Sequence, residues 1–547
     1  MPDILLIQPP IRDFYLTAKR TVPYGLAALA AAVRQAGFTV RILDGLATRK
    51  TRPAPLPPEM AYLAEFYGRP DVSPMALFHH FRHYGYSFAH IGRKAGESGA
   101  FLVGIASLFT AYSHEALETA RSVKFFLPGC MVVLGGHHPT ALPADAMACP
   151  SVDFVIRGEG EVALPRLAHA LRAGRGLESV PGVVFRRPDD SLHVSPPAVV
   201  ADLDGCPQPA RDLIDDRFYR RHRRGSTVVV ASRGCPMACS YCSLSRFSGI
   251  PYRRRAVASV LAEIDTAVNA HDAGFIDFED ENLALDKPWL MALLAGIQAR
   301  FGRQGLELRA MNGLFPPSLD AEMVAAMRAA GFRALNLALA TTDRRQLTRF
   351  RRPDVRRAFD SALSLAAANR LETVGYIIVG APGQRAAESL VDLCYLAERR
   401  VLAGVSLFYP SPGSLDFARC RQMGLLPDHP SLFRATALPL SDTTTRLEGV
   451  TLLRLGRLLN FLKALAADGE PLPQPAEFEH SLPPDTDRRE LGRRLTGWFL
   501  YDGRLRGVTP EGEVYAHPVD RGLAEGFAEI LPTLRICPPG DRRQDLG

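Results

Sequence analysis

The chain has 547 residues, which is too long for one hydrophobic core and indicates about three to four domains. Hydrophobic residues make up 47% of it and charged residues 22%, so fibrous and wholly disordered classes are excluded. The formal net charge is +7, and the basic residues form short clusters without interleaved aromatic residues. We therefore expect an arginine-rich surface and no nucleic-acid partner.

The amino terminus and the cysteines indicate the compartment. The first seven residues show no basic stretch followed by a long apolar one, and no apolar run approaches the ~20 residues of a membrane span. We expect a cytoplasmic protein with no membrane span, whose nine cysteines are reduced thiols. Six cysteines stand singly and are expected to be small buried hydrophobic residues: Cys130, Cys149, Cys206, Cys394, Cys420 and Cys537.

Residues 1–175 alternate short apolar runs with amphipathic stretches. This alternation predicts an N-terminal doubly wound parallel sheet, in which each strand is followed by a helix. Residues 50–100 interrupt the pattern and are predicted to form an insertion over the sheet. The aromatic residues of 62–89 are expected to lie in a core, and the alternative is that they line an apolar pocket. The predicted strands are 4–7, 39–43, 102–107, 131–134 and 154–156, and the predicted helices are 24–35, 112–123 and 163–171.

The rest of the chain divides into three predicted parts. Residues 176–225 should form a hairpin (182–185 with 192–195) and a linker that contains Pro and Arg. Residues 226–425 resume the alternation with six strands, which predicts a partial (β/α)6 barrel whose site lies at the carboxyl ends of the strands. Residues 426–547 are predicted to be a mainly helical domain, with helices at 450–467 and 490–499 and a hairpin at 500–515 that turns at Asp502-Gly503. The six barrel strands are predicted at 227–231, 275–278, 306–311, 334–339, 373–379 and 404–408.

Three cysteines stand together directly after the first of these six strands. The segment Ser232-Arg-Gly-Cys235-Pro-Met-Ala-Cys239-Ser-Tyr-Cys242 has the spacing Cys-x3-Cys-x2-Cys. Such a loop can bind three irons of a [4Fe–4S] cluster and leave the fourth iron open to an exogenous ligand. A zinc site or three unrelated thiols are the alternatives. Zinc needs a fourth ligand, and neither His222 nor His271 has the usual spacing for one.

The cysteine motif, the aromatic Tyr241 before its third cysteine and the six strand–helix units resemble the radical SAM superfamily. The resemblance implies that S-adenosylmethionine (SAM) binds the open iron and is cleaved to a 5′-deoxyadenosyl radical. It also implies SAM contacts from the acidic stretch after the second barrel strand and from the glycines after the fifth. Ala340 stands where the family usually has Glu, so that contact should fall to Asn336 or be made differently. The residues assigned to SAM in this way are Tyr241, Glu279, Asp280, Asn336, Gly380 and Gly383.

The first segment resembles the cobalamin-binding domain that precedes the barrel in one class of radical SAM enzymes. The similar stretches are Pro23-Tyr-Gly25, Val103-Gly-Ile-Ala-Ser107-Leu108, Gly135-Gly136-His137-His138-Pro139 and Arg157-Gly158-Glu159-Gly160-Glu161. The resemblance implies that Ser107 contacts the dimethylbenzimidazole tail of cobalamin and that the glycines leave room for it. The cobalamin residues assigned are Ser107, Leu108, Gly135, Gly136 and Gly158.

No D-x-H-x-x-G signature follows the first strand, so we expect no histidine on the cobalt. His137 and His138 are expected to be polar residues of the loop after the fourth strand. A flavodoxin-like domain without cobalamin is the alternative for this segment.

The resemblance implies an enzyme that methylates an unactivated carbon of a small molecule or natural product. One SAM would supply the methyl group and a second the radical, with electrons from a donor such as flavodoxin or ferredoxin. The C-terminal domain is expected to help close the site. Cobalamin-assisted cyclisation, ring rearrangement or oxidation is the alternative among enzymes. A non-enzymatic iron–sulfur or cobalamin sensor would leave the six strand–helix units unexplained.

Overall fold

The structure is a computed structural model that describes residues 1–17, 22–221, 223–244, 249–480, 482–483 and 485–539. His222 lies outside the described residues. The first part of the chain contains β1 (Ile4–Gln8), β2 (Ile11–Asp13), α1 (Tyr24–Gln35), β3 (Val40–Asp44), β4 (Thr51–Pro53), α2 (Leu63–Tyr67), β5 (Arg82–Tyr84), α3 (Phe88–Ser98), β6 (Leu102–Ala106), α4 (Ser113–Phe126), β7 (Met131–Gly135), α5 (His137–Ala141), α6 (Pro143–Met147), β8 (Phe154–Ile156), α7 (Gly160–Ala173), β9 (Val183–Arg186) and β10 (Leu192–Val194).

These elements build a seven-stranded sheet in the order β10-β9-β8-β7-β6-β1-β3. The five strands from β8 to β3 are parallel, and β9 and β10 form the predicted antiparallel hairpin. The parallel strands are nearly continuous apolar runs because helices cover both faces of the sheet: α1 and α7 pack on one face, α3 and α4 on the other. The predicted doubly wound sheet is confirmed.

The prediction for residues 50–100 was wrong in where this segment packs. A small antiparallel sheet (β2-β5-β4) forms beside the large one, and α3 is an ordinary covering helix of the large sheet. Residues 58–81 instead bury their apolar side chains in the core of the barrel and the C-terminal region. A hydrogen bond also joins this segment to the C-terminal region. The Oδ1 of Asp71 accepts from the backbone N–H of Ser73 and from that of Val508, which lies 437 residues further along the chain.

The second part of the chain forms the predicted six-stranded partial barrel. The elements are β11 (Arg220–Arg221), β12 (Arg224–Val229), β13 (Ser232–Arg233), β14 (Arg253–Arg254), α8 (Val257–His271), β15 (Ala273–Phe278), α9 (Lys287–Phe301), β16 (Glu307–Arg309), α10 (Ala321–Ala330), β17 (Ala334–Ala340), α11 (Arg344–Arg349), α12 (Arg356–Ala368), β18 (Glu372–Val379), α13 (Ala386–Ala397), β19 (Leu402–Leu407) and α14 (Leu415–Gln422). The strands β12, β15 and β16 lie in one parallel sheet and β17, β18 and β19 in another, and isolated parallel bridges between residues 308 and 332 and between 314 and 337 join the two.

The last part is mainly helical, as predicted, but its hairpin lies elsewhere. It contains α15 (Arg446–Ala467), α16 (Arg488–Asp502), β20 (Arg506–Val508), β21 (Val514–Ala516) and α17 (Arg521–Ile530). Asp502 ends α16, and Gly503 caps that helix in the left-handed region (φ +70°). The hairpin turns instead between β20 and β21, where the Thr509 N–H donates to the Glu513 carbonyl. Asp-Gly suits a helix end as well as a hairpin turn, because Gly adopts positive φ at little cost. No helix in the described ranges is long and apolar enough to cross a membrane.

A buried charge cluster joins the two halves of the molecule. The carboxylate of Glu263 on α8, whose side chain is 1% exposed, accepts hydrogen bonds from Arg211 (2.8 Å) and Arg255 (2.5 Å). Tyr24 of α1 donates to the same carboxylate at 3.5 Å. Each charge is therefore paired where water cannot reach it, and the first sheet is tied to the barrel.

Replacing Glu263 with alanine should lower the midpoint of thermal unfolding. The change leaves two buried guanidinium groups without their carboxylate, and removing one partner of a buried ion pair costs about 3–5 kcal/mol. A thermal melt followed by circular dichroism measures the shift. Asp265→Ala is the matched control, because Asp265 is an exposed acid on the same helix. Equal midpoints for the two variants would contradict this role of the cluster.

Candidate active site

The three-cysteine loop is held at its base by a short antiparallel pair, β13 with β14, directly after β12. Cys235 and Cys239 are buried and Cys242 is partly exposed. Gly234 enters the loop with φ +81°, and a Cβ there would lie 2.4 Å from the Pro251 carbonyl oxygen. A residue other than glycine would separate the two arms, so Gly234 lets the loop close on itself.

The electrostatics of the loop suit a cationic ligand. Burial raises the pKa of Cys235, and it raises the pKa of Cys242 to about 11, with repulsion from the neighbouring thiolates adding to both. Bound iron would offset this penalty, because thiolates bind metals in the deprotonated form. Within the described residues, no three His, Cys, Asp or Glu side chains are placed to hold one metal ion. A [4Fe–4S] cluster does not need three side chains around one metal ion, because each thiolate binds a different iron.

Arg352 is a neighbour of the loop that the sequence analysis missed. Its Nη1 lies 3.7 Å from Cys239 Sγ and 3.2 Å from the Tyr241 hydroxyl, and its Nη2 donates to the Ala338 carbonyl at 2.6 Å. The Tyr241 ring packs edge-on against Phe350 at 4.9 Å. Arg352 therefore places a positive charge beside a predicted cluster ligand. Its position in sequence, 113 residues after Cys239, carries no spacing signal.

The acidic stretch after β15 fastens the start of the loop. Asp280 accepts hydrogen bonds from Ser232 Oγ (2.5 Å) and from the Ala231 N–H (3.2 Å), and burial raises the pKa of Asp280 to about 7. Glu281 accepts from the Gly234 N–H at 3.1 Å. Glu279 contacts the amide of Asn312 at the end of the strand. Asp280 and Glu281 thus hold the start of the cysteine loop. Asp280 therefore has a structural role in addition to its predicted contact with SAM.

The predicted SAM residues of β17 and β18 lie at two levels of the barrel. Asn336 sits inside it, accepting from the Tyr376 hydroxyl at 3.2 Å and donating to the Ala310 carbonyl at 3.4 Å. Gly380 and Gly383 follow β18 with positive φ, at the turn where the family motif has its glycines. Ala340 ends β17 in the left-handed region (φ +69°). Ala340 therefore combines a side chain that cannot replace the family's Glu with a left-handed backbone that L residues rarely adopt.

An open space lies at the carboxyl ends of β6 and β7. The buried Ser107 hydroxyl has no hydrogen-bond partner among the described residues, and Leu108 beside it is 46% exposed. A Cβ on Gly135 would meet no atom within 4 Å, whereas a Cβ on Gly136 (φ +127°) would lie 2.5 Å from the Ser107 carbonyl oxygen. An unpaired hydroxyl, an exposed apolar side chain and vacant room are features that fit the tail of a cobalamin.

Two further predictions concern this edge of the sheet. Gly158 (φ +81°) packs against the chain at Ala198, where a Cβ would lie 2.2 Å from the carbonyl oxygen. The prediction that His137 and His138 lie in a loop was wrong. They are the first two residues of α5, because the helix begins directly after Gly136. His138 is buried, with its Nε2 3.2 Å from Asp145 Oδ2.

Ion pairs hold the sheet edge against the cysteine loop. Glu159 binds Arg253 of β14 through both carboxylate oxygens, at 2.7 and 2.9 Å. Glu161 binds Arg233 of β13 at 2.6 Å. The Arg-Gly-Glu-Gly-Glu stretch after β8 therefore binds both strands at the base of the cysteine loop. The end of β8 in the sheet is thereby joined to the base of the cysteine loop in the barrel.

Comparisons with known proteins agree with the division into a sheet and a barrel. The family model of the B12 binding domain matches residues 77–168, and that of the radical SAM superfamily matches residues 229–393. An uncharacterized methyltransferase of Pyrococcus horikoshii is 26% identical over 418 residues, which are 75% of this chain and 81% of that protein.

Two solved structures share the fold. The radical S-adenosylmethionine methyltransferase TsrM from Kitasatospora setae, with cobalamin and a [4Fe–4S] cluster bound, has a TM-score of 0.57 at 18% identity, covering 80% of this chain and 82% of that one. The cobalamin-dependent S-adenosylmethionine radical enzyme OxsB, with aqua-cobalamin and SAM bound, has a TM-score of 0.63 at 14% identity, covering 97% and 75%.

A parallel sheet that carries a B12-binding segment, followed by a radical SAM barrel, defines a class of enzymes. The chain contains both parts, a segment that matches the B12 binding domain and a segment that matches the radical SAM superfamily. The predicted family, fold class and enzyme class are thereby confirmed, and the predicted set of three cofactors agrees with both family models. The individual contacts to SAM and cobalamin, and the domain boundaries at 175, 225 and 425, stay predictions.

Proposed function

We propose that the protein binds a [4Fe–4S] cluster, SAM and cobalamin and uses them to methylate an unactivated carbon of a small molecule. The observation that carries the proposal is the pairing of Glu159 with Arg253 and of Glu161 with Arg233, which fixes the cysteine loop against the end of β8 in the parallel sheet. Two cofactors that act on one substrate need this fixed separation. Similarity to the Pyrococcus methyltransferase and to the Kitasatospora methyltransferase structure supports this reaction class.

The cofactors would supply the chemistry, and side chains of the protein would hold them in place. When bound, the cluster supplies the electron that converts SAM into a radical, and cobalamin supplies a carrier for the methyl group. The thiolates of Cys235, Cys239 and Cys242 would each hold one iron, and Arg352 would stabilise the negative charge at Cys239. Ser107 would donate a hydrogen bond from its hydroxyl to the cobalamin tail in the space beside Gly135.

The barrel interior forms the polar floor of the site. Asp277 of β15 binds Arg309 of β16 at 2.7 Å, and Asn336 binds Tyr376 across β17 and β18. These pairs satisfy one another, so they would support a bound substrate without leaving an unpaired charge beneath it. Residues 58–81 and the C-terminal helices pack together beside the barrel and would exclude water from the radical chemistry.

The proposed methyl transfer consumes SAM in two ways, which a product analysis can test. Turnover should yield S-adenosylhomocysteine and 5′-deoxyadenosine in about equal amounts, because one SAM loses its methyl group and another is cleaved to the radical. SAM labelled with deuterium in its methyl group should transfer that label to the product, as mass spectrometry would show. Unlabelled product formed with 5′-deoxyadenosine but without S-adenosylhomocysteine would instead establish cyclisation, rearrangement or oxidation.

A further inference from the structure

Positive charge is concentrated in one stretch of the barrel. Residues 343–357 contain seven arginines and two aspartates, whereas the whole chain has a formal net charge of only +7. The stretch comprises α11, the turn after it and the start of α12. Four of its arginines are exposed around α11 and its turn, and we name them the arginine surface: Arg344, Arg345, Arg349 and Arg351.

The two aspartates of the stretch do not cancel this charge. Asp343 caps α11, accepting from the backbone N–H groups of Arg345 (3.0 Å) and Gln346 (3.3 Å). Asp354 pairs with Arg356 at 2.5 Å and lies 3.9 Å from Arg344, whose side chain is 83% exposed. The arginine surface therefore presents a net positive face to solvent.

The same stretch touches the cysteine loop from behind. Ser240, between Cys239 and Cys242, donates its N–H to the Phe350 carbonyl (3.0 Å) and its hydroxyl to the Arg349 carbonyl (3.0 Å). Arg352 reaches Cys239 itself, at 3.7 Å. A molecule bound at the arginine surface is thus separated from a predicted cluster ligand by one layer of backbone.

This face of the loop is not the one that meets the cobalamin-binding sheet. The sheet reaches the loop through Arg233 and Arg253, at its base, by way of Glu159 and Glu161. Ser240 and Cys239 instead contact Arg349 and Arg352, in the arginine-rich stretch 343–357 that follows β17. A partner at the arginine surface can therefore approach the cluster while sheet and substrate occupy the other side.

We propose that the arginine surface docks a small acidic electron-transfer protein, which passes one electron to the cluster. The inference rests on the proposed function, since only a bound cluster needs this electron. The donor is oxidised by one electron and the cluster is reduced from its 2+ to its 1+ state, so no bond between the proteins forms or breaks. Opposite charges on the two surfaces raise the rate of encounter and orient the donor toward Ser240.

Charge reversal at Arg344 and Arg345 tests the docking surface. Both side chains are exposed, and acidic residues in the first turn of a helix are favourable, so the variant R344E/R345E should fold. Its cluster should be reduced by flavodoxin hydroquinone, a strongly acidic donor, about tenfold or more slowly than the wild-type cluster at low salt. The rate is measured by stopped-flow absorbance, and the dissociation constant for flavodoxin by calorimetry.

The matched control is R300E/R303E, which makes the same change of charge at exposed positions near the end of α9. The control should keep the wild-type rate, and only the wild-type and control proteins should lose rate steeply as salt is added. Equal flavodoxin rates in the two double variants would overturn the docking surface.

Dithionite separates this inference from the proposed function. As a small-molecule reductant it should reduce the cluster equally fast in all three proteins. If it reduces the wild-type cluster and no 5′-deoxyadenosine forms from SAM, the proposed function fails. If it supports 5′-deoxyadenosine formation in every protein and flavodoxin does not distinguish the variants, the docking surface alone fails.

Discussion

Replacing Cys239 with alanine should abolish both the cluster and the formation of 5′-deoxyadenosine. The thiol is buried in the loop between β13 and β14, beside Arg352, and we assign it one of three irons. A cubane held by two thiolates has two open irons and is readily lost. Iron and sulfide analysis of the anaerobically reconstituted protein, with its visible spectrum, should show one cluster per chain in the wild type and almost none in the variant.

Cys394→Ala is the control for this experiment. Cys394, like the loop residue Cys242, is a partly exposed thiol in the barrel, and burial raises the pKa of each thiol to about 11. The control should keep full cluster content, because Cys394 lies on α13 and outside the loop. A Cys239→Ala protein with a full complement of iron and sulfide would show that the cluster, if present, has other ligands.

The strands and helices of the N-terminal sheet and of the barrel are predicted well, because the apolar spacing that indicates each element lies within that element. Helix α1 has the predicted bounds of 24–35, and β7 extends the predicted strand by one residue. Each element depends on apolar spacing within about a dozen residues, which the chain displays directly. The cysteine motif is local in the same sense, since three ligands fall within eight residues.

What the sequence could not predict are contacts between distant segments. Glu159 and Arg253 are 94 residues apart, and Arg352 is 113 residues from Cys239. No periodicity links such pairs, and each of these charges alone looks like an ordinary surface residue. The prediction for residues 58–81 was wrong for the same reason. Their aromatic content indicates burial but not which part of the molecule they pack against, and that part is the core of the barrel and the C-terminal region.

The cobalamin site lends itself to a test that spares the fold. Gly136 is a poor choice, because a side chain there would strike the Ser107 backbone and disturb the sheet whether or not a cofactor binds. Gly135 is better. A Cβ at that position meets nothing within 4 Å, so a leucine can begin without a backbone clash and extend into the space that we assign to the cobalamin tail.

Gly135→Leu should therefore lose cobalamin while keeping its cluster. We expect the affinity to fall at least about 100-fold, or ~2.7 kcal/mol, because the tail cannot share its space with a leucine side chain. Titration with hydroxocobalamin, followed by absorbance, measures the loss. Gly129→Leu is the matched control: Gly129 precedes the opposite end of the same strand, and its Cβ would also meet nothing within 4 Å.

The two variants together separate the cobalamin site from general effects of added bulk. If both bind cobalamin as tightly as the wild type, the tail does not enter the space beside Gly135. If only Gly135→Leu loses the cofactor, the space belongs to the tail, and Ser107 becomes its nearest polar neighbour. The cluster should persist in both, because the ion pairs of Glu159 and Glu161 join the cysteine loop to the end of β8 rather than to β7. A variant with a cluster and no cobalamin should then still cleave SAM to 5′-deoxyadenosine, but form no methylated product.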